Sequence, residues 1–149
     1  MVIKPDDELN QKIISTMLSG KGIGPRLSEL ARALSRPRST IDLRVRLLEN
    51  DEIIAGYKPI INWEKLGFKI QGHVGIACSE DSIPPLVALL TEDGSTAEVW
   101  EPTTGSFSVI AKCRFKDYEE IKKLREKIQK IKNIQNIDVW LTGPYHKLG

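Results

Sequence analysis

Cysteine and histidine are nearly absent, with two of each in 149 residues. Cys78 and Cys113 fall within apolar alternations, where a free thiol acts as a small hydrophobe, and nothing else marks a disulfide-stapled secreted domain. His73 and His146 stand far apart, and no Cys or His shares a ligand spacing with another, so no metal site is expected. The same two histidines have no acidic or nucleophilic neighbour at the spacing of a catalytic triad. Glu98 and Glu101, three apart in an extended segment, point to opposite faces and make no carboxylate pair. The glycine-rich run Gly20-Lys21-Gly22-Ile23-Gly24 is too short for a phosphate loop and lacks its Lys-Ser/Thr ending. Neither an enzyme nor a bound cofactor is expected. No apolar run reaches the roughly 18 residues a membrane span needs. The start, Met1-Val2-Ile3-Lys4-Pro5-Asp6-Asp7-Glu8, turns acidic where a signal peptide turns apolar. The expectation is a cytoplasmic protein with no membrane partner.

What is present is an ordinary globular balance of 40% hydrophobic and 28% charged residues, in a length that suits one large or two small domains. The net charge is only +2, but it is unevenly spread. Six of the eight arginines (Arg26, Arg32, Arg36, Arg38, Arg44, Arg46) share one stretch, opposed only by Glu29 and Asp42, whereas lysine dominates elsewhere. Arginine's planar, permanently charged fork matches phosphate oxygens and guanine edges, which makes such a cluster a candidate nucleic-acid contact. A merely solvated helical face is the plainer reading of a charge run. The pattern underneath decides between them.

Leu9, Ile13, Ile14 and Met17 repeat at helical spacing after Asp6-Asp7-Glu8, and Ser19-Gly20 gives a stop. Pro25 fits a first helical position, after which Leu27, Leu30, Ala31 and Leu34 recur on one face. Ser35-Arg36-Pro37-Arg38 breaks that helix, and Pro37 can open another whose buried stripe is Ile41, Val45 and Leu48, running to about Asn50. Two short helices joined tightly, the second with basic and hydroxyl side chains opposite its apolar stripe, are what a helix-turn-helix DNA reader requires. The predicted contacts are Arg38, Ser39 and Thr40 at base edges or flanking phosphates, with Arg36 and Arg46 on phosphates. Arg44, beside the buried stripe, has two readings: a DNA contact, or an ion pair with Glu29 that holds the helices together.

Past Asn50 the texture changes. Ile53-Ile54-Ala55-Gly56-Tyr57 and Ile60-Ile61 read as short extended segments, a linker or a hairpin wing packed on the helical head. From Phe68, Ile70, Val74, Ile76 and Cys78 alternate as a half-buried strand, and Ser82 can cap a helix bearing Pro84 and Pro85 in its first turn. Ala97 to Glu101 and Phe107 to Phe115 flank the turn-forming Pro102-Thr103-Thr104-Gly105-Ser106 as a hairpin. Tyr118, Ile121, Leu124, Ile128 and Ile131 mark a long amphipathic helix, and Ile137 to Leu141 a last strand. The fold class is therefore α+β: a helix-turn-helix head, winged if the hairpin forms, over residues 1–52, a linker over 53–66, and a βαββαβ ferredoxin-like tail over 67–149. An RNA-binding sheet of this strand order needs two or three exposed aromatics on its central strands, and only Phe107 and Phe115 flank one. Trp63, Trp100 and Trp140 read as core or interface anchors, Trp140 at a dimer contact.

Head, linker and tail in this order resemble the Lrp/AsnC family of feast/famine transcription regulators. The residues that carry the resemblance are Glu29-Leu30-Ala31, Ser39-Thr40-Ile41, Arg44-Val45, Ile54-Ala55-Gly56-Tyr57, Leu66-Gly67 and Thr104-Gly105-Ser106-Phe107-Ser108. The resemblance implies a regulator that binds double-stranded DNA as a homodimer, or as a tetramer or octamer built from it. It also implies a tail, RAM-type in that family, that mediates association and receives a small effector, typically an amino acid. By resemblance the effector site lies at Gly105, Ser106, Phe107 and Ser108, between neighbouring subunits; glycine there lets a ligand approach backbone N–H groups that can hold its carboxylate. The sequence departs from the family in three places. Glu52 stands where a glycine is usual, leaving Asn50 to end the helix; Pro37-Arg38 shifts the start of the recognition helix; and Ser108 replaces a common aspartate that would pair an α-ammonium group. An amino-acid-sensing or assembly module without DNA binding is the competing reading, and the arginine cluster argues against it.

Overall fold

The computed structural model describes residues 7–144 and 146, so the expectation for Met1 to Asp6 lies outside the described residues. The chain divides into two compact units, Met1–Ile61 and Asn62–Gly149, a boundary that falls inside the segment 53–66.

The first unit holds α1 (Glu8–Leu18), α2 (Leu27–Leu34) and α3 (Arg38–Asn50). Asp7 starts α1 by accepting the Asn10 amide at 2.7 Å, satisfying one of the free donors of the first turn. Gly20, with φ +85°, follows its end. α2 begins two residues later than the sequence predicts: Arg26 is the N-cap and its carbonyl receives the Leu30 amide, leaving Pro25 outside the helix. Ser35 takes the left-handed conformation at φ 51°, and the Arg36 amide closes back on the Ala31 carbonyl at 3.0 Å. That closure makes the tight turn. Pro37 caps α3 from outside, its carbonyl accepting from Thr40 and Ile41. Ala31, Ile41 and Val45 form the buried core of this unit, with Leu27 against them, while Leu48 of the predicted stripe stays exposed.

Two expectations fail here. Asn50 does not end α3 in the left-handed conformation; it is the last helical residue, and Glu52 adopts φ 56° while the Ile53 and Ile54 amides close on the Leu48 carbonyl. The termination needs a left-handed residue at that one position, and the chain places a glutamate there in spite of its Cβ. Of the two readings of the next segment, the hairpin wing over Ile53 to Trp63 does not form either: these residues have no strand pairing and run as a linker. Gly56 weakens extended structure, Pro59 lacks a donor, and no neighbouring strand offers a ladder.

The second unit is β1 (Ile70–Cys78), α4 (Ile83–Glu92), β2 (Thr96–Trp100), β3 (Val109–Phe115), α5 (Tyr118–Gln129) and β4 (Ile134–Leu141). The strands form one antiparallel sheet in the order β2-β3-β1-β4, as a βαββαβ chain requires. Period-two alternation sends Val74, Ile76 and Cys78 of β1 and Val109, Ala111, Cys113 and Phe115 of β3 to one face, where Leu86 and Leu90 of α4 and Leu124 and Ile128 of α5 bury them. α5 is opened by a reciprocal pair: the Asp117 carboxylate accepts the Glu120 amide at 3.0 Å, and the Glu120 carboxylate accepts the Lys116 amide at 2.7 Å. Ser82 does not cap α4 with its side chain, contrary to expectation. Its hydroxyl donates to the Lys132 carbonyl and so ties the start of α4 to the turn before β4. No helix among the described residues is long and apolar enough to cross a membrane.

Candidate nucleic-acid interface and effector turn

The exposed side of α3 collects the predicted contacts. Arg38, Ser39, Thr40, Arg44 and Arg46 are all exposed, as is Arg36 in the turn before the helix, because Ile41 and Val45 point the other way. Arg46 is engaged with Asp42 one turn earlier, Nη2 to Oδ2 at 2.9 Å and Nε to Oδ1 at 3.2 Å. Such an exposed pair contributes less than about 1 kcal/mol and yields readily to a phosphate. The suggested Arg44–Glu29 pair is not formed. Glu29 is held by Arg26, the N-cap residue three positions back, at 3.3 Å.

The sequence reading missed the backbone at the start of α3. No side chain caps this end, and its first turn contains no acid. The first amides of a helix have no intrahelical acceptor, and the helix dipole adds partial positive charge there. With Arg36, Arg38, Ser39 and Thr40 around them, these amides make the helix start an anion-receiving point suited to a phosphate. The signal was legible: Pro37 removes a side-chain cap, and no Asp or Glu lies between Pro37 and Asp42.

In the second unit the face of the sheet opposite the helices carries a row of rings. Phe107 lies over Gly75, so close that a Cβ there would meet three ring carbons at 2.8–2.9 Å. It stacks on Trp140 at 5.8 Å between centroids, Trp140 stacks on His73 at 5.5 Å, and His73 meets Trp100 edge-on at 6.1 Å. Trp100 and Trp140 remain 39% and 40% exposed, so the described residues of the second unit leave this face partly open. Lys112 and Glu98 flank His73 from β3 and β2. Burial lowers the His73 pKa, Lys112 lowers it further, and Glu98 opposes them; the Nδ1 atom is buried without a partner among the described residues. Phe115, named in the RNA reading, is fully buried on the helix side. The rings that do line the open face stack on one another rather than lying flat toward solvent, which is unlike a base-stacking platform.

The four predicted effector residues divide. Gly105, at φ 101°, and Ser106 are exposed in the turn between β2 and β3, and no atom crowds the place of a Gly105 Cβ. Phe107 is spent on Gly75 and Trp140. Ser108 is spent on β1: its hydroxyl donates to the Cys78 carbonyl at 3.0 Å and accepts the Cys78 amide at 3.1 Å, while its own amide donates to the Ile76 carbonyl at 2.7 Å. Among the described residues no group of three or more His, Cys, Asp or Glu side chains is placed to hold a metal ion. Burial pushes the Cys113 thiol up to about 11, which keeps it protonated and unreactive. Trp63, the third tryptophan, meets Phe68 edge-on at 5.7 Å and lies under the Arg114 guanidinium at 3.4 Å.

No family model matches the chain. It is 27% identical over 143 residues to the HTH-type transcriptional regulator FL11 of Pyrococcus horikoshii, covering 96% of this chain and 93% of that protein. It is 24% identical over 129 residues to an uncharacterized HTH-type transcriptional regulator of Pyrococcus furiosus, covering 87% and 85%. Among solved structures, AsnC of E. coli superposes with a TM-score of 0.67 at 22% identity over 100% of this chain and 97% of that one. The chain has the fold of the AsnC regulators. A feast or famine regulatory protein of M. tuberculosis, solved in complex with L-methionine, shares this Lrp/AsnC fold with a TM-score of 0.67 at 23% identity, each chain covered to 95%. The curated relatives are named as regulators rather than as enzymes.

Proposed function

We propose that this chain is a sequence-specific, DNA-binding transcription regulator of the Lrp/AsnC type, in the cytoplasm, whose head, residues 1–52, lays the start of α3 in the major groove. The observation that carries the reading is the uncapped, acid-free first turn of α3 with Arg36, Arg38, Ser39 and Thr40 exposed around it. Arg38, Ser39 and Thr40 take base edges or adjacent phosphates; Arg36, Arg44 and Arg46 take phosphates, Arg46 by exchanging Asp42 for the DNA backbone. The tail, residues 67–149, joins two copies through the open sheet face, since Trp100 and Trp140 lose their remaining exposure only against another surface. A homodimer of this kind sets two heads about 34 Å apart on a roughly palindromic site, and tetramers or octamers follow by association of dimers.

The response is to an amino acid held at the turn of Gly105 and Ser106. Two regulators of this fold solved with L-methionine support that class of ligand. Because the Ser108 hydroxyl is fully used by Cys78, the ligand's contacts fall to the exposed backbone of Gly105 and Ser106 rather than to Ser108. The alternative, a sensing or assembly module without a DNA role, leaves the exposed face of α3 unexplained.

The test is binding of the full-length protein to its own upstream DNA at several salt concentrations, with and without each amino acid. Tight, salt-sensitive binding altered by one amino acid is expected. Arg38→Ala should weaken it about tenfold or more and reduce the salt slope if it meets a phosphate. Binding that ignores every amino acid would remove the effector half of the proposal. No binding even at low salt would leave the sensing module.

A further inference from the structure

A cavity of about 370 Å³ opens beside α5, and its lining includes no residue of the turn at Gly105. Phe68 and Leu124 supply its apolar lining, and Lys116, Lys123 and Lys127 its cationic one, with Asp93 and Glu120 the two acids present. Both carboxylates are already committed. Asp93 accepts the Ser95 amide at 3.0 Å, the Ser95 hydroxyl, and the Lys127 ammonium at 2.9 Å. Burial pushes its pKa up, but these bonds outweigh burial and keep it ionised. Glu120 is bound to the Lys116 amide as the cap of α5. Lys127 is matched by Asp93, whereas Lys116 and Lys123 pair with no carboxylate among the described residues. The Lys116 ammonium instead lies 5.3 Å from the centre of the Phe68 ring.

The cavity therefore has an apolar floor, two hydrogen-bonded carboxylates and three ammonium groups, a lining of net charge +1. We propose that it binds a small organic anion, a carboxylate or phosphate on an aromatic or branched apolar body, with Lys123 and Lys116 receiving the charge and Phe68 and Leu124 the body. The volume lies at the lower end of the roughly 300–1,000 Å³ of small-molecule sites. A ligand on Phe68 also bears on Trp63, which packs edge-on against it at the very beginning of the second unit. Occupancy is thus reported by tryptophan emission as well as by heat. The binding claim stands apart from the DNA reading; only a regulatory use of the site rests on it.

The experiment is calorimetric titration of the full-length protein at low ionic strength with phenyl phosphate, benzoate and inorganic phosphate. One saturable site per chain is expected for an aryl anion, and the tighter of the two probes identifies phosphate or carboxylate as the preferred charge. Inorganic phosphate should bind at least about tenfold more weakly, because it leaves Phe68 and Leu124 uncovered. Lys123→Glu, on an exposed turn of α5, should weaken aryl-anion binding about tenfold or more, with Lys123→Arg retaining it and Gly105→Val leaving it unchanged. The proposal is overturned by the absence of saturable aryl-anion binding, by equal affinity for inorganic phosphate, or by an isotherm that Lys123→Glu does not change. No DNA or amino acid enters the measurement, so its failure is distinct from failure of the regulator reading.

Discussion

The two units use apolar residues in opposite ways. The helical head buries Ala31, Ile41 and Val45, yet leaves Leu9, Ile13, Leu34, Leu43, Leu47 and Ile53 exposed. The tail seals eleven residues into one cluster between its sheet and two helices. At roughly 1.5–3 kcal/mol for each large side chain taken fully out of water, the tail has the larger reserve of stability. The lesson is that the head is held mainly by local devices, its caps and tight turns, while the tail is held by packing. A surface offered to a partner is easier to spare where the core is small and the backbone is locally fixed.

That contrast can be broken first in the tail. Phe115→Ala empties a fully buried site of β3 and should cost about 3–5 kcal/mol, whereas Val45→Ala in the head should cost clearly less. Denaturant unfolding of the full chain, followed by tryptophan emission for the tail and helical circular dichroism for both units, checks the difference. Equal losses would mean the head draws on a larger core than Ala31, Ile41 and Val45. Next in size, Gly75→Val forces the Phe107 ring off β1 and should cost about 1–3 kcal/mol. It should also shift the emission of Trp140, which stacks on that ring. A neutral result would show that the ring row is not a packed unit.

A smaller effect, of opposite sign, is expected in the head. Glu52→Gly relieves a left-handed glutamate and should stabilise the head by about 0.5–1 kcal/mol, read as a rise in its unfolding midpoint. A drop would place the strain elsewhere. The smallest effect concerns pH. Because burial and Lys112 lower the His73 pKa, the unfolded chain binds the proton more readily, so stability falls as pH drops below the ordinary histidine range, near 6.5, toward the lowered folded value. Thermal unfolding between pH 7 and 5 should show this slope in the tail, and His73→Gln should flatten it. An unchanged slope would assign the proton uptake to other groups.

Much of this architecture was readable because it is local. Helical spacing at Leu27, Leu30, Ala31 and Leu34, and alternation from Ile70 to Cys78, each report which side of an element meets apolar surroundings, and the arginine cluster needed only counting. The misreadings share a cause: each required a partner distant in sequence or a specific backbone angle. A wing over residues 53–63 needed a neighbouring strand that is not there. Arg44 was offered Glu29, but Arg26, the N-cap of the same helix, stood closer along the chain. The left-handed role given to Asn50 fell to Glu52 because the closure on the Leu48 carbonyl sets the position, not the residue's preference.

The sequence by itself determined the order of helices and strands, the two-part division, the exposed basic side of α3 and the glycine turn at Gly105, since all depend on periodicity, charge and turn chemistry within a few residues. Only the tertiary structure decided that Ser108 is consumed by Cys78, that Phe107, Trp140, His73 and Trp100 become one row across three strands and a turn, and that Lys116 and Lys123 face a cavity floored by Phe68 and Leu124. Those groupings depend on strand register and helix docking. Both are settled by the sum of packing over the whole core, which no short stretch of sequence contains.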